Sequence, residues 1–251
     1  MTPTVTTARR AVRYEGDGQW FDGALVCPAQ PAGTLPAVLI VPAWEGRSTA
    51  QEAIAADLAR FGCAAFCVDT YGAGKRGATP AECAELMAPL LADRVSLRAR
   101  LLSALTAARA CPEIDPHRIA AIGFCFGGLC ALDLARANAP LSVVASFHGL
   151  LTPLPPPLVT AARIDAKVIA FHGWDDPLAT PSDVAALGRE LTAARADWQM
   201  HVYGATMHAF TNMEANSPES GIQYNPRAAS RAWSSLRTLL RDAFDGSREV
   251  Q

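Results

Sequence analysis

The stretch Gly123-Phe124-Cys125-Phe126-Gly127-Gly128 determines the fold that we predict for this chain. Residues 118–122 before it form an apolar run typical of a buried strand, and residues 129–136 after it favour a helix. A strand that ends in Gly-x-Cys-x-Gly and turns directly into a helix is the nucleophile-elbow pattern, with cysteine in place of serine. We therefore expect the Cys125 sulfur at the carboxyl edge of a sheet, where the helix dipole favours a thiolate. The alternative interpretation is a glycine-rich turn with a buried cysteine.

Size and composition limit the possible classes of protein. The chain has 251 residues, of which 50% are hydrophobic and 18% charged, and this composition predicts one compact α/β domain over residues 1–251. The net charge is −2 and no basic run occurs, which argues against a nucleic-acid partner. No apolar run approaches the roughly 18 residues that cross a bilayer, so we expect no membrane association.

The cysteines and the N-terminal residues indicate a cytoplasmic protein. Seven cysteines are scattered along the chain, an odd number that favours reduced thiols. Residues 1–20 are polar and contain no apolar segment, so we expect no signal peptide. Cys63 and Cys67 are four residues apart in a predicted strand, which is not a metal-ligand pattern, and we expect no metal site.

Strands and helices alternate along the chain. Residues 12–14 and 20–27 predict two antiparallel strands joined by a turn at Gly16-Asp17-Gly18. Further strands are predicted at 37–41, 63–68, 118–122, 142–147, 167–171 and 198–203. Helices are predicted from Ser48 or Thr49 to 61, from 80 to 110 with a break near Pro89, and at 129–136, 181–195 and 226–244. This alternation predicts an α/β fold with a mostly parallel central sheet covered by helices on both faces.

A nucleophilic cysteine requires a base, and the base requires an acid that orients it. In hydrolases with a nucleophile elbow, the chain order is nucleophile, acid, histidine. Asp176 follows the strand predicted at 167–171, and His208 follows the strand that ends at Tyr203. Both residues therefore come after the carboxyl ends of strands, at the edge where Cys125 is predicted and where ligands of open α/β sheets bind.

The chain resembles the dienelactone hydrolase family, α/β-hydrolase proteins with a Cys-Asp-His triad, from about residue 20 to 244. The motifs that carry the resemblance are Asp69-x-Tyr71-Gly72, Gly123 to Gly128, Ser146-Phe147-His148-Gly149, Gly173-x-x-Asp176-Pro177 and His208-Ala209-Phe210-Thr211-Asn212. The resemblance implies that Cys125, Asp176 and His208 form the triad. It also implies hydrolysis of carboxylic esters or lactones through a covalent thioester, without a cofactor.

Other acids and histidines are alternatives. Asp175 neighbours Asp176, and the family pattern favours Asp176 because the acid directly precedes a proline. His148 and His172 end strands at the same edge, where they either line the site or anchor loops by hydrogen bonds. Two further histidines are predicted to be remote or structural, namely His117 and His201.

The oxyanion hole is predicted to use the backbone N–H of Phe126, the residue after the nucleophile. By the family register, anchored on Gly46, the second donor is the N–H of Trp44. Many family members have an acidic residue just before this donor that holds the resting thiol, but Ala43 occupies that position here. Glu45 is a candidate for the same role, and an exposed loop carboxylate is the alternative interpretation.

The substrate pocket departs from that of family members that act on dienelactone. Those enzymes bind the substrate carboxylate with arginines, but residues 80–89 contain no arginine or lysine, and Asn212 stands four residues beyond His208. We therefore expect dienelactone to be a poor substrate. An apolar pocket is predicted from Tyr71, Trp174 and Phe210 together with Trp44 and Glu45, and core packing is the alternative for each aromatic residue.

Three functional hypotheses follow. The first is a hydrolase of carboxylic esters or lactones that binds a small-molecule substrate and is a monomer or homodimer. The second is a hydrolase of relaxed specificity that also acts on aryl esters and organophosphate triesters. The third is a non-enzymatic binding protein on the same fold, which the intact set of Cys125, Asp176 and His208 disfavours.

Overall fold

The computed structural model of the protein describes residues 6–246. The eight longer strands form a mixed, mostly parallel sheet, and helices alternate with these strands along the chain. The predicted α/β class is therefore confirmed. The chain divides into two compact units after Ala121, and the prediction of a single domain stays a prediction.

The first unit contains the two antiparallel strands that open the chain and a set of parallel strands. Asp17 and Gly18 connect β1 to β2 with φ of 49° and 70°, as a two-residue hairpin with the right-handed strand twist requires. This confirms the predicted turn. β2 pairs antiparallel with β4, and β3 pairs parallel with β4. The elements are β1 (Thr7–Gly16), β2 (Gln19–Pro28), β3 (Leu35–Val41), α1 (Thr49–Arg60), β4 (Ala64–Cys67), α2 (Pro80–Ala92), α3 (Arg94–Arg109) and β5 (Ile114–Phe124), which runs on into the second unit.

The break in the long helical region differs from the prediction. Pro89 lies inside α2, and the chain breaks four residues later at Asp93. The Asp93 carboxylate accepts hydrogen bonds from the N–H groups of Val95 and Ser96, at 3.1 and 3.0 Å, and so caps α3. The predicted break near Pro89 is wrong, because a side chain that satisfies two N–H groups of a new helix fixes the boundary more strongly than the proline does.

The second unit has parallel strands whose carboxyl ends share one edge. β6 pairs with β7 and β7 with β8, both in parallel. The elements are α4 (Phe126–Arg136), β6 (Val143–Phe147), β7 (Lys167–Gly173), α5 (Pro181–Ala193), β8 (Trp198–Tyr203), β9 (Asn216–Ser217), β10 (Ile222–Gln223) and α6 (Pro226–Asp245). The longer elements confirm the predictions. The antiparallel β9–β10 pair was not predicted, since two-residue strands carry no periodic pattern.

An aromatic cluster supports the edge at which the predicted site residues emerge. Phe124 ends β5, Phe147 ends β6, and their ring centroids are 4.9 Å apart. Phe171 of β7 lies 4.6 Å and Trp233 of α6 lies 5.0 Å from the ring of Phe147. Such contacts stabilise packing beyond the burial of apolar area alone. The cluster therefore holds three strand ends in fixed positions, and the loops that follow them start from a rigid base.

Candidate active site

Cys125 occupies a sharp turn between β5 and α4. Its φ of 52° and ψ of −117° are rarely adopted by residues other than glycine, and such a conformation costs about 1–3 kcal/mol. The Cys125 N–H donates to the carbonyl of Phe147 at 3.1 Å, and its own carbonyl accepts from the N–H of Gly128 at 2.9 Å. The side chain is partly exposed. The backbone therefore has the strained strand-to-helix geometry of a nucleophile elbow.

Glycines make this turn possible. A Cβ atom at Gly123 would lie 1.8 Å from the carbonyl oxygen of Gly127, far inside any van der Waals contact. A Cβ atom at Gly128 would lie 2.6 Å from Oγ of Ser146 and 2.7 Å from Cα of Gly149. The first turn of α4 therefore packs directly against the end of β6, and the turn itself leaves no room for a side chain at position 123.

Asp176 and His208 form a buried pair in the loops after β7 and β8. His208 Nδ1 lies 2.7 Å from Asp176 Oδ2, and both side chains are almost inaccessible to solvent. The other carboxylate oxygen, Oδ1, accepts a hydrogen bond from the N–H of Leu178 at 2.8 Å. The neighbouring Asp175 is exposed, and its N–H donates to the carbonyl of Thr206 at 2.9 Å. Asp176 rather than Asp175 therefore contacts the histidine.

The backbone of His208 is held by the segment around β10. Its N–H donates to the carbonyl of Gly221 at 2.9 Å, and its carbonyl accepts from the N–H of Gln223 at 3.1 Å. Gly221 itself has a φ of 71°, which suits glycine. These two bonds fix the main chain on both sides of the imidazole, so the side chain starts from a defined position.

The pKa of His208 reflects opposing effects. Burial lowers it, but the hydrogen bond with Asp176 and the nearby Cys125 side chain outweigh burial and raise the pKa to about 9. Nε2 of His208 is buried and has no hydrogen-bond partner of normal geometry among residues 6–246. Because Nδ1 bonds to Asp176, Nε2 is the nitrogen that remains for Cys125 or for a substrate.

Comparison with known proteins identifies the family. The model of the dienelactone hydrolase family matches residues 21–244. The chain belongs to this family. It is 29% identical over 231 residues to a probable 2-oxo-3-(5-oxofuran-2-ylidene)propanoate lactonase of a Bradyrhizobium species, and the match covers 87% of this chain and 88% of that protein.

Solved structures agree with the family assignment. The dienelactone hydrolase-like promiscuous phosphotriesterase P91 from metagenomic libraries is 33% identical, with a TM-score of 0.89 over 95% of this chain and 99% of that one. A putative dienelactone hydrolase of Klebsiella pneumoniae, 21% identical, has the same fold, with a TM-score of 0.78 over 94% of this chain and 98% of that one. The predicted α/β-hydrolase fold is confirmed, and this member of the dienelactone hydrolase family is an enzyme that hydrolyses ester bonds.

The other histidines of this dienelactone hydrolase family member differ in position. His148 and His172 are buried beyond or at the ends of β6 and β7, and burial lowers the pKa of both. His148 Nε2 lies 2.8 Å from Oγ1 of Thr211, and its ring centroid lies 5.1 Å from that of His208. His117 is exposed in β5, and His201 packs its ring edge-on against Phe171 within β8.

The pocket residues predicted in the second unit have opposite exposures. Trp174 is 50% exposed, whereas Phe210 is wholly buried. The Phe210 ring packs edge-on against His148 and Tyr203, with centroids 5.3 and 5.6 Å away. Phe210 therefore supports the loop around His208 from within the core, and only Trp174 of these two has a surface that solvent reaches.

The site residues predicted in the first unit pack together there. The Tyr71 hydroxyl donates to the carbonyl of Trp44 at 2.7 Å, and a Cβ atom at Gly46 would lie 2.9 Å from the Tyr71 ring. Burial raises the pKa of Glu45. The pKa of the Cys83 thiol is raised as well, mainly by burial and to a smaller extent by the negative charge of Glu45. The roles of Trp44 as oxyanion donor, Glu45 as thiol partner and Tyr71 as pocket wall stay predictions.

Two features of the site were missed from the sequence. One is the bond between Thr211 and His148, and the other is the β9–β10 segment that holds the backbone of His208. Gly221, three residues after Pro218, was a signal for a turn close to His208.

Within residues 6–246, no cluster of three metal-ligating side chains occurs. The same part of the chain has no helix with the length and apolar character of a membrane span.

Proposed function

We propose that this protein hydrolyses carboxylic esters or lactones through a covalent thioester on Cys125. The observation that carries the proposal is the strained turn of Cys125 at the start of α4, with a φ of 52°. It is supported by the buried pair of Asp176 and His208, 2.7 Å apart, and by the effect of Cys125 on the pKa of His208. Nucleophile, base and orienting acid are then present in the chain order of elbow hydrolases.

The proposed reaction has two halves. Nε2 of His208 takes the thiol proton as Cys125 Sγ attacks the carbonyl carbon, so that a C–S bond forms and the π electrons move to the carbonyl oxygen. That oxyanion is stabilised by the N–H of Phe126, the first residue of α4, and by the predicted donor Trp44. The C–O bond then breaks, and His208 Nε2 gives a proton to the departing alcohol. In the second half, Nε2 takes a proton from water as the water oxygen attacks the thioester carbon. The C–S bond then breaks, the proton returns from Nε2 to the sulfur, and the acid and the free thiol are released.

Asp176 has an indirect part in both halves. By accepting the Nδ1–H of His208, its carboxylate selects the tautomer in which Nε2 carries the lone pair, and it stabilises the imidazolium. The proposal further includes a small-molecule substrate, a monomer or homodimer in the cytoplasm, and the half-exposed Trp174 as a wall of the substrate pocket.

The test is the variant Cys125→Ala, assayed with an activated aryl ester. We expect kcat to fall by about 10⁴-fold or more, because residues of such a triad act as a unit. A burst of alcohol product equal to the enzyme concentration is expected from the wild type only, with circular dichroism showing both proteins folded. Cys111→Ala, in which a buried cysteine outside the triad is changed, is the matched control. Wild-type rates in Cys125→Ala would refute the covalent mechanism.

A second candidate function is relaxed specificity that includes organophosphate triesters. It is supported by the 33% identity with the promiscuous phosphotriesterase P91, which extends over 95% of this chain. The discriminating assay compares an aryl ester with diethyl 4-nitrophenyl phosphate, using wild type and Cys125→Ala. Release of nitrophenol from the triester that depends on Cys125 would support this candidate. Release from the ester alone would restrict the function to carboxylic esters and lactones.

A further inference from the structure

A buried histidine next to His208 has no part in the reaction proposed above. His148 follows β6, and its Nε2 lies 2.8 Å from Oγ1 of Thr211, a residue 63 positions later in the chain. Thr211 is three residues beyond His208, so this bond joins the loop after β6 to the loop that carries the catalytic imidazole. A hydroxyl both donates and accepts, so either tautomer of His148 can make the bond.

The ring of His148 is confined by its neighbours. It meets the His208 ring edge-on, with centroids 5.1 Å apart and an interplanar angle of 71°. Phe210 meets it at 5.3 Å and 78°, and Phe124 lies 6.1 Å away. In protein interiors packed to this degree, a side chain in contact with three rings cannot move unless its neighbours move as well. The orientation of His148 therefore restricts that of His208.

The backbone fixes the direction of this ring as well. His148 has a φ of 38°, in the left-handed region, and its N–H donates to the carbonyl of Phe171 at 2.8 Å. Residues other than glycine keep such a conformation where the surrounding structure enforces it, often at functional sites. The hydrogen bond to β7 and the bond to Thr211 thus hold the main chain and the side chain of His148 at the same time.

The hydrogen bond to Asp176 does not by itself fix the orientation of the His208 imidazole. The single bond from Nδ1 to Oδ2 fixes a distance, but the ring can still tilt about it. Nε2 must exchange protons with the thiol, the leaving group and water at successive stages of the reaction, and small misplacements are costly for such transfers. A second surface against the ring limits this tilt, and the edge of His148 is such a surface.

His148 suits this place because its ring is neutral. Burial, together with the charge on His208, lowers the pKa of His148 well below its ordinary range. A neutral ring can lie against the imidazolium that forms on His208 during the reaction without like-charge repulsion. A lysine or arginine at the same place would oppose that protonation.

We propose that His148, anchored by Thr211, is a positioning residue that holds the imidazole of His208 in its catalytic orientation. The inference rests on the proposed function, in which His208 transfers protons. His148 touches neither the thiol nor the substrate in this account, and it acts only through His208.

The test removes the anchor without altering the triad. In Thr211→Val the hydroxyl is replaced by a methyl group of similar size, and kcat for an aryl ester should fall by roughly 10- to 100-fold. KM should stay within about twofold, because orientation of the base affects the transition state rather than binding. Thr211→Ser restores the hydroxyl and should recover most of kcat. Thr211→Ala removes the same hydroxyl and is the substitute where valine impairs folding.

The matched control is Thr192→Val. The hydroxyl of Thr192 also contacts an aromatic ring nitrogen, Nε1 of Trp198 at 3.1 Å, but at the start of β8, whereas His208 follows its end. We expect Thr192→Val to keep the wild-type kcat, whatever it does to the melting temperature. A kcat of Thr211→Val close to wild type, an equal loss in Thr192→Val, or no recovery in Thr211→Ser would each overturn the inference.

The outcome of the Thr211→Val test can be distinguished from the outcome of the test of the proposed function. Cys125→Ala, measured in parallel, reports on the covalent mechanism alone. An inactive Cys125→Ala with a fully active Thr211→Val would leave the proposed function standing and remove the role of His148. An active Cys125→Ala would remove the proposed function, and with it the basis of the inference.

Discussion

Two buried clusters of charged side chains in the second unit are organised in different ways. Arg136, the last residue of α4, is 1% exposed, and its guanidinium group is held by several hydrogen bonds. Its guanidinium donates to Asp133 at 3.2 Å, to the carbonyl of Thr152 at 3.0 Å and to both carboxylate oxygens of Glu190, at 2.9 and 2.8 Å. His208 is buried to a similar degree, but within residues 6–246 only Nδ1 of its ring has a hydrogen-bond partner of normal geometry, namely Asp176.

The difference separates a structural cluster from the one for which we propose a reactive role. Around Arg136 the buried guanidinium donates to three acceptor residues, so its charge is used inside the fold. At His208 a buried nitrogen lacks a conventional partner, and such an atom ordinarily costs about 1–3 kcal/mol of stability. Satisfaction of hydrogen bonds, rather than burial or charge, is therefore what distinguishes these two clusters from each other.

The largest expected effect is on activity, when the reactive pair is altered. In Asp176→Asn the amide keeps the size of the side chain but no longer selects the tautomer of His208, so kcat should fall by about 10⁴-fold. The free energy of unfolding should change far less. Steady-state kinetics and urea denaturation measure the two quantities. Asp175→Asn is the matched control, since Asp175 is exposed, and a similar loss in both variants would contradict the assignment.

The next effect is on stability, when the closed cluster is opened. Arg136→Met leaves the buried carboxylate of Asp133 and that of Glu190 without their cation, and the free energy of unfolding should fall by about 3–5 kcal/mol. Activity per folded molecule should persist at low temperature. Arg163→Met breaks an exposed ion pair with Asp165 and should cost less than about 1 kcal/mol. Equal stability losses in the two variants would remove the distinction between them.

The smallest effect concerns pH. The pKa of His208 is raised from 6.5 to about 9, so folding favours the protonated imidazole. The resulting stability is fully present below pH 6.5 and is lost as the pH rises through 9, with a total of about 3 kcal/mol for this shift. Urea denaturation at pH 6 and pH 9.5 measures the difference, which should shrink in His208→Gln. An identical pH dependence in both proteins would show that His208 does not contribute it.

Local signals in the sequence were sufficient for the turn at Cys125 and for the longer strands. Gly-x-Cys-x-Gly between an apolar run and a helix is a contiguous pattern, and its first glycine, Gly123, is required by a contact with the backbone of Gly127, four residues later. Asp176 and His208 were predicted because they follow apolar runs whose parallel pairing brings their carboxyl ends to one edge.

The features that were missed depend on contacts between distant residues or on competition between local signals. The bond of His148 to Thr211 spans 63 positions, and neither residue type indicates the other. At the break between α2 and α3, Pro89 and Asp93 both signal a helix boundary, and only the capping bonds of Asp93 show which one fixes it. Helix and turn propensities are assigned to single residues, whereas the histidine–threonine bond and the helix boundary depend on interactions between residues.

Helix α4 determines how the turn at Cys125 responds to fluctuations of the structure. Every residue of α4 is buried; its first turn packs against the end of β6, and its last residue is Arg136. In native-state hydrogen exchange, amides of such a helix exchange only when a large cooperative unit opens, whereas exposed loops open at little cost. Local opening of the chain around the 79%-exposed Met213 should therefore leave the turn at Cys125 undisturbed. The strained turn at Cys125 keeps its geometry until the unit that contains it unfolds.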